Sequence, residues 1–528
     1  MEHTSAPLAH WPADERVPLD PRSIGEVLLD WARTAPDSIA VQWEDADGSI
    51  RGLSYAALAA DAVAFARRVL AQVPAGEPIA VAAAPGIDWV TLEYGAALAG
   101  TPLVPLNPAF TDSEMTHLFD TSGARVVFAD DEHRGTPLLA RLSSLATQRA
   151  VQAHRLADWR DLLAIEDDLP PVDADQVFLV QYTSGTTGRP KGALLSHRAA
   201  YNSAAGMMAR FGAQHDDNWL NTMPLHHVGG SVSVVISVLS VGATVTLLPG
   251  FDAGKALEMI PRTRVTIFSG VPTMHLAILE HPGFDTTDLS SIRVLMAGGS
   301  TLAPSLIRRV EDAFGASIAN AFGQSESPNA IMTSLTDSDI DKSETIGTPL
   351  PHREVRIVGP DGNTLLVGEA GELWMRGPLV MEGYVGVDAA TAARTLDADG
   401  WLHTGDLCSM DERGLIRIRG RLRDVIIRGG ENIYPAEVED VMLSHPAVAE
   451  MAVVGMPDDY WGEVPVGVVR LVPGATVTDE ELEAHGRASL TGFKVPRRWE
   501  RVDSFPLTAS GKVKKFELQQ QLSATGGR

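Results

Sequence analysis

Apolar positions along the chain fall into two spacings. Short runs of Val, Leu, Ile and Ala bounded by turn residues recur at 78–84, 124–129, 176–181, 243–248, 265–268 and 293–297. Their length and boundaries predict buried strands. Longer stretches between them carry helical spacing. Tyr201, Ala204, Ala205, Met208 and Phe211 share one face behind Ser196, whose hydroxyl suits a helix N-terminus. Thr111-Asp112-Ser113-Glu114 has the form of a capping box and predicts a helix after the proline-bounded 105–108. Strands alternating with helices predict an α/β fold on mostly parallel sheets. The charged, proline-containing stretch 130–175 shows little strand spacing and predicts peripheral helices and loops. The longest apolar run, 231–248, holds four Ser, two Thr and one Gly. That polar content predicts a buried helix followed by a strand, not a membrane span.

The texture changes at Gly371. Short strands and glycine turns follow, as in Gly371-Glu372-Leu373-Trp374, Gly383-Tyr384 and Gly414-Leu415-Ile416. An arginine-rich stretch around Asp424, 417–428, marks a domain boundary. Beyond it, a helix at 435–443, strands at 448–454 and 464–472, a helix at 479–490, a strand at 499–502 and a helix at 514–522 predict a small α+β domain. Its stretch 494–515 carries seven basic and two acidic residues, which either draw in a polyanion or solvate the domain.

Composition narrows the classes. At 528 residues the chain is too long for one small domain, and 45% apolar with 21% charged residues excludes wholesale disorder. The net charge of −25 repels phosphate backbones, so a nucleic-acid partner is not expected, although one basic pocket can still take a nucleotide. A lone cysteine, Cys408, excludes an internal disulfide framework and any multi-Cys zinc site, and it reads as a buried inert thiol. The polar start Met1-Glu2-His3-Thr4 lacks the basic-then-apolar pattern of a secretory signal and predicts a cytoplasmic protein. Only seven of the 43 basic residues are lysines. A retained Lys therefore points to a place needing a compact, flexible charge.

The strongest local chemistry is Tyr182-Thr183-Ser184-Gly185-Thr186-Thr187-Gly188-Arg189-Pro190-Lys191-Gly192, directly after an apolar strand. Its glycines let backbone N–H groups converge, its hydroxyls add donors, and Lys191 adds charge, which together suit a polyphosphate. Gly after Lys191 distinguishes it from a Walker A loop. The loop resembles the phosphate-binding signature of the adenylate-forming superfamily, which includes acyl-CoA synthetases, adenylation domains of peptide synthetases and luciferases. Further matches follow in family order: Pro224-Leu225-His226-His227-Val228-Gly229-Gly230, Ala297-Gly298-Gly299-Ser300, Phe322-Gly323-Gln324-Ser325-Glu326, Gly400-Trp401-Leu402-His403-Thr404-Gly405-Asp406, Gly420-Arg421-Leu422-Arg423-Asp424, Gly429-Gly430-Glu431-Asn432 and Ser510-Gly511-Lys512. They span nearly the whole chain.

The resemblance implies roles. Thr183, Ser184, Gly185, Thr186, Thr187, Gly188 and Lys191 hold ATP phosphates, with Ser300 nearby. Asn320, Ala321, Phe322 and Gly323 lie along the adenine and acyl group; Phe322 stands where many relatives carry Tyr. Ser325, where Thr is commoner, keeps a hydroxyl for the α-phosphate. Glu326 suits Mg²⁺. Asp406 accepts from the ribose hydroxyls and Arg421 adds a donor there. His227 gates an acyl pocket shared with Ala297, Gly298, Gly299 and Phe322, whereas His226 is structural. Lys512 is the implied catalytic lysine and Arg423 the hinge. Gly429, Gly430 and Glu431 resemble the segment lining the pantetheine tunnel of coenzyme A. One departure is Gly250, where many relatives place Lys or Arg near the coenzyme A phosphates.

The reading is an α/β protein. Residues 1–422 form a large adenylation domain of parallel-rich sheets with a β-rich subdomain, and 423–528 form a small mobile α+β lid. The expected reaction activates a small carboxylic acid with ATP and Mg²⁺, then transfers the acyl group to coenzyme A. The alternatives are a carrier-protein thiol or an amine as acceptor, or an unusual biosynthetic acid. A homodimer is common among such relatives.

Overall fold

In the computed structural model, which describes residues 7–183, 190–298, 304–458, 460–507 and 513–525, the apolar runs become the centres of two large sheets. The chain divides into two compact units. One comprises Trp11–Val355 and Met375–His403; the other comprises Met1–His10, Arg356–Trp374 and Thr404–Arg528.

The larger unit contains a seven-stranded sheet ordered Gly383–Val385, Lys191–Ser196, Val177–Thr183, Leu103–Pro105, Ile79–Ala82, Val126–Ala129 and Gln152–Arg155. The last five strands run parallel. Ile79–Ala82, Leu103–Pro105 and Val126–Ala129 are buried at every position, as strands covered on both faces must be. A nine-stranded sheet is ordered Thr348–Pro349, Ser327–Met332, Ser317–Gln324, Val294–Gly298, Ile267–Gly270, Asn218–Asn221, Thr244–Leu247, Ile39–Glu44 and Ile50–Ser54. Its middle is parallel and both ends close with antiparallel pairs. The helix His197–Phe211 starts at Ser196, whose hydroxyl accepts from the Ala199 N–H. Asp112–Ser122 opens with the expected reciprocal capping box between Thr111 and Glu114.

Two segments depart from the sequence reading. Within 130–175, Gln152–Arg155 forms a strand parallel to Val126–Ala129. Its sequence, Gln-Ala-His-Arg, lies half-open at the sheet edge, so no apolar pattern announces it. The run 231–248 is a buried helix and strand as expected, but its first turn, Ser231–Ile236, is a π-helix. Such turns are rare and frequent at functional sites.

In the smaller unit, Glu431–Ile433, Ile426–Arg428, Gly462–Leu471 and Val448–Asp458 form an antiparallel sheet, with Arg498–Arg501 parallel to Gly462–Leu471. Apolar clusters that include Val453 and Trp499 on one side and Val454 and Leu518 on the other bury it. The basic stretch finds carboxylates: Lys494 pairs with Glu437 and Lys515 with Glu439, each at 2.7 Å, and Arg501 pairs with Asp479 at 2.7 Å. These pairs tie elements of the domain together, which gives the local excess of charge a structural reason. Among the described residues, no helix is long and apolar enough to cross a membrane.

Candidate active site

Thr183 and Lys191 stand at the ends of two antiparallel strands on either side of the Gly/Ser/Thr-rich segment 184–190, and they pair directly in register. Ser184, Gly185, Thr186, Thr187 and Gly188 lie outside the described residues, as do Gly299, Ser300 and Lys512. Gly192 follows Lys191 where the chain leaves no room for a side chain. A Cβ there would meet Val385 Cγ2 at 2.7 Å and Val180 Cγ1 at 2.9 Å. This close approach brings Gly383–Val385 against the strand, with Tyr384 opposite Ala193.

Ala297 and Gly298 end one strand of the nine-stranded sheet and lie beside Asn320 and Ala321 of the next. The strand carrying Asn320, Ala321, Phe322 and Gly323 then reverses. Gln324 pairs with Ser327, so Ser325 and Glu326 form the tip of a tight hairpin. Asn320 is anchored rather than free: its side-chain amide donates to the Thr345 carbonyl at 3.3 Å. Phe322 and Ser325 are buried. Glu326 is half-buried, and the Tyr384 hydroxyl donates to its Oε1. Lys191 Nζ in turn lies 5.5 Å from the centre of the Tyr384 ring. Glu326, Tyr384 and Lys191 thus form one continuous group.

His227 caps the short helix Val228–Gly230, its Nδ1 accepting from the Gly229 N–H at 3.0 Å. That bond assigns the neutral ring's proton to Nε2. Desolvation, then the neighbouring His227 and His133, pull His226 down to about 4, so it is neutral at pH 7 and fits a structural role. Its carbonyl accepts from Gln181 Nε2 at 3.1 Å, which ties this segment to the strand Val177–Thr183. Ser233 donates to Asn329 Oδ1 at 2.7 Å, which ties the π-turn to the Glu326 hairpin.

In the smaller unit, Asp406 and Arg421 face each other across an antiparallel pair. Arg421 Nε lies 2.7 Å from Asp406 Oδ1, and the Asp406 side chain is 3% exposed against 39% for Arg421. The two residues expected on one ribose therefore stand together. Arg423 occupies the short 3-10 turn Leu422–Asp424. Gly429 and Gly430, with φ of 58° and 90°, form the two-residue turn between Arg428 and Glu431, a conformation that favours glycine at both positions.

A model of the AMP-binding enzyme family matches residues 28–385, and one of the AMP-binding enzyme C-terminal domain matches 437–512. The chain belongs to this family. It is 37% identical over 430 residues to a feruloyl-CoA synthase of Amycolatopsis sp, covering 81% of this chain and 85% of that one. It is 35% identical over 474 residues to the mitochondrial medium-chain acyl-CoA ligase ACSF2 of Rattus norvegicus, covering 82% and 77%. Among solved structures, o-succinylbenzoate CoA synthetase (MenE) from Bacillus subtilis, in complex with its acyl-adenylate intermediate, superposes with a TM-score of 0.84 at 30% identity, over 95% of this chain and 99% of that one. This AMP-binding enzyme is of the acyl-CoA synthetase type, an AMP-forming acid–thiol ligase.

Sequence reasoning missed Tyr384. A single Tyr in a three-residue edge strand has no period to reveal it. The nearest mark is Gly192, whose missing Cβ makes room for Val385, the residue after Tyr384.

Proposed function

We propose that this AMP-binding enzyme activates an apolar carboxylic acid, aryl or medium-chain, and delivers it to coenzyme A in two half-reactions at one site. A carboxylate oxygen attacks the α-phosphorus of ATP, and the bond to the bridging oxygen breaks. The products are an acyl-adenylate and pyrophosphate. The coenzyme A thiol then loses its proton and attacks the acyl carbonyl, and AMP leaves. In this reading Lys191 and the hydroxyls of Thr183, Ser184, Thr186 and Thr187 hold the phosphates, and Ser325 donates to the α-phosphate. Asp406 and Arg421 hold the ribose.

The observation that carries the proposal is the hairpin tip. It presents a polar pair, Ser325 and Glu326, beside a strand whose neighbours are the small residues Ala297 and Gly298. Glu326 fits Mg²⁺: it is one carboxylate at a half-open turn, and Mg²⁺ is commonly held by one or two carboxylates together with substrate phosphates. When bound there, the ion would supply charge neutralisation for the phosphates. Ala297, Gly298, Ala321 and Phe322 offer small or aromatic surface to the acyl group, with His227 at its gate. The feruloyl-CoA and medium-chain relatives support an apolar acid.

Residues 423–528 act as the lid, turning about Arg423 between the two half-reactions. Its place in a single short turn between the strands Ile416–Arg421 and Ile426–Arg428 supports a hinge. Gly429, Gly430 and Glu431 then face the pantetheine arm.

A panel of aliphatic and aryl acids, assayed for ATP–pyrophosphate exchange without coenzyme A and for AMP release after its addition, tests the proposal. Apolar acids should support exchange, and coenzyme A should trigger AMP release. Exchange with no response to coenzyme A would instead favour a carrier-protein thiol or an amine as acceptor.

A further inference from the structure

The segment 379–385 crosses the hairpin tip and fastens it at several points. The Met381 N–H donates to the Glu326 carbonyl at 2.8 Å, and the Glu382 N–H donates to the Leu194 carbonyl at 2.8 Å. Tyr384 follows, with its hydroxyl on Glu326 Oε1 and its ring under the Lys191 ammonium. A phenol donating to a carboxylate fixes which oxygen is occupied and so turns the other in a defined direction. A cation within about 6 Å of a ring centre is held by the ring's electron density. One aromatic side chain therefore touches both charged groups that the proposed function assigns to ATP and its metal.

We infer that Tyr384 is a positioning residue: its hydroxyl aims Glu326 at the divalent cation, while its ring holds Lys191 at the mouth of the phosphate loop. The inference rests on the reading of Glu326 as the carboxylate that meets the metal. The two functions belong to different atoms of one side chain. Removing the hydroxyl should disturb only the response to metal, whereas removing the ring should disturb the phosphates as well.

The test is titration calorimetry of MgATP, and of ATP in EDTA, into wild type, Tyr384→Phe, Tyr384→Leu and Glu326→Gln. The readout is the ratio of the two affinities, which a general folding lesion would not move. Tyr384→Phe should leave metal-free ATP binding intact and lower the MgATP-to-ATP ratio about tenfold, the effect of losing one hydrogen bond to a charged group. Tyr384→Leu should also weaken metal-free ATP. An unchanged ratio in Tyr384→Phe, alongside a lowered one in Glu326→Gln, would overturn the inference and leave the metal reading standing. An unchanged ratio in Glu326→Gln would overturn that reading, and the inference with it.

Discussion

Glu93 sits in the middle of the helix Ile87–Ala99, fully buried, with the Ser231 side chain only partly offsetting the loss of water. Burial pushes it up to about 8, so the folded protein keeps a proton that an unfolded chain releases near 4.5. Unfolding therefore releases a proton across this window, and stability falls as pH rises through it. His197, His226 and His275, each drawn down to about 4 chiefly by desolvation, act in the opposite sense but only below their ordinary value of 6.5. Between pH 6.5 and 8 the wild-type melting temperature should therefore fall, with a slope approaching ~1.4 kcal/mol per pH unit from this one group. Glu93→Gln should flatten most of that fall; parallel slopes in the two proteins would show that Glu93 is ionised when folded. Legibility at this scale follows the same physics. Asp406, Arg421 and Glu326 could be picked out because each stands at a fixed offset within a Gly-rich motif. Glu93 and Tyr384 could not, because burial in one case and a cross-strand contact in the other arise only when distant segments meet.

At the scale of elements, the apolar strands and capped helices were legible because burial on both faces and hydroxyl caps leave local marks. Gln152–Arg155 left none, since an edge strand needs only backbone partners on one side. The π-turn was equally hidden, because hydrogen-bond spacing is not written in side-chain polarity. Arg353 shows how elements of the site are fastened. Its fully buried guanidinium donates to Ser203 Oγ of the helix His197–Phe211 and to the Pro328 carbonyl behind the Glu326 hairpin, both at 2.7 Å. The turn Leu422–Asp424 contrasts with this. Its Arg423 is half exposed and lies 3.5 Å from neighbouring Asp424. Proline there fixes φ near −65° and restrains the preceding residue too. Arg423→Pro should retain adenylate formation, measured by pyrophosphate exchange, and lose thioester formation. Equal loss of both would mark a folding defect or a hinge elsewhere.

Across the whole molecule, the motifs divide between the two compact units. The phosphate strand, His227 and the Glu326 hairpin belong to one; Asp406, Arg421, the Gly429-Gly430 turn and the sequence position of Lys512 belong to the other. We propose that the chain from Arg423 onward turns between the two steps, so that a group needed for the first can be withdrawn for the second. Lysine is rare in this chain, and among the described residues five of six lysines are engaged in ion pairs: Lys255, Lys342, Lys494, Lys514 and Lys515. The sixth is Lys191, beside the Tyr384 ring, and Lys512 lies outside the described residues. We propose that Lys512 serves adenylation alone. Groups aimed at charge that develops in a transition state are typically worth ~10²–10³ in rate. The direct measurement is a paired assay of Lys512→Ala, with pyrophosphate exchange reporting the first half and AMP release from supplied acyl-adenylate and coenzyme A reporting the second. The account predicts a loss of at least about a hundredfold in the first, with the second close to wild type; full exchange activity, or equal loss in both halves, would contradict it.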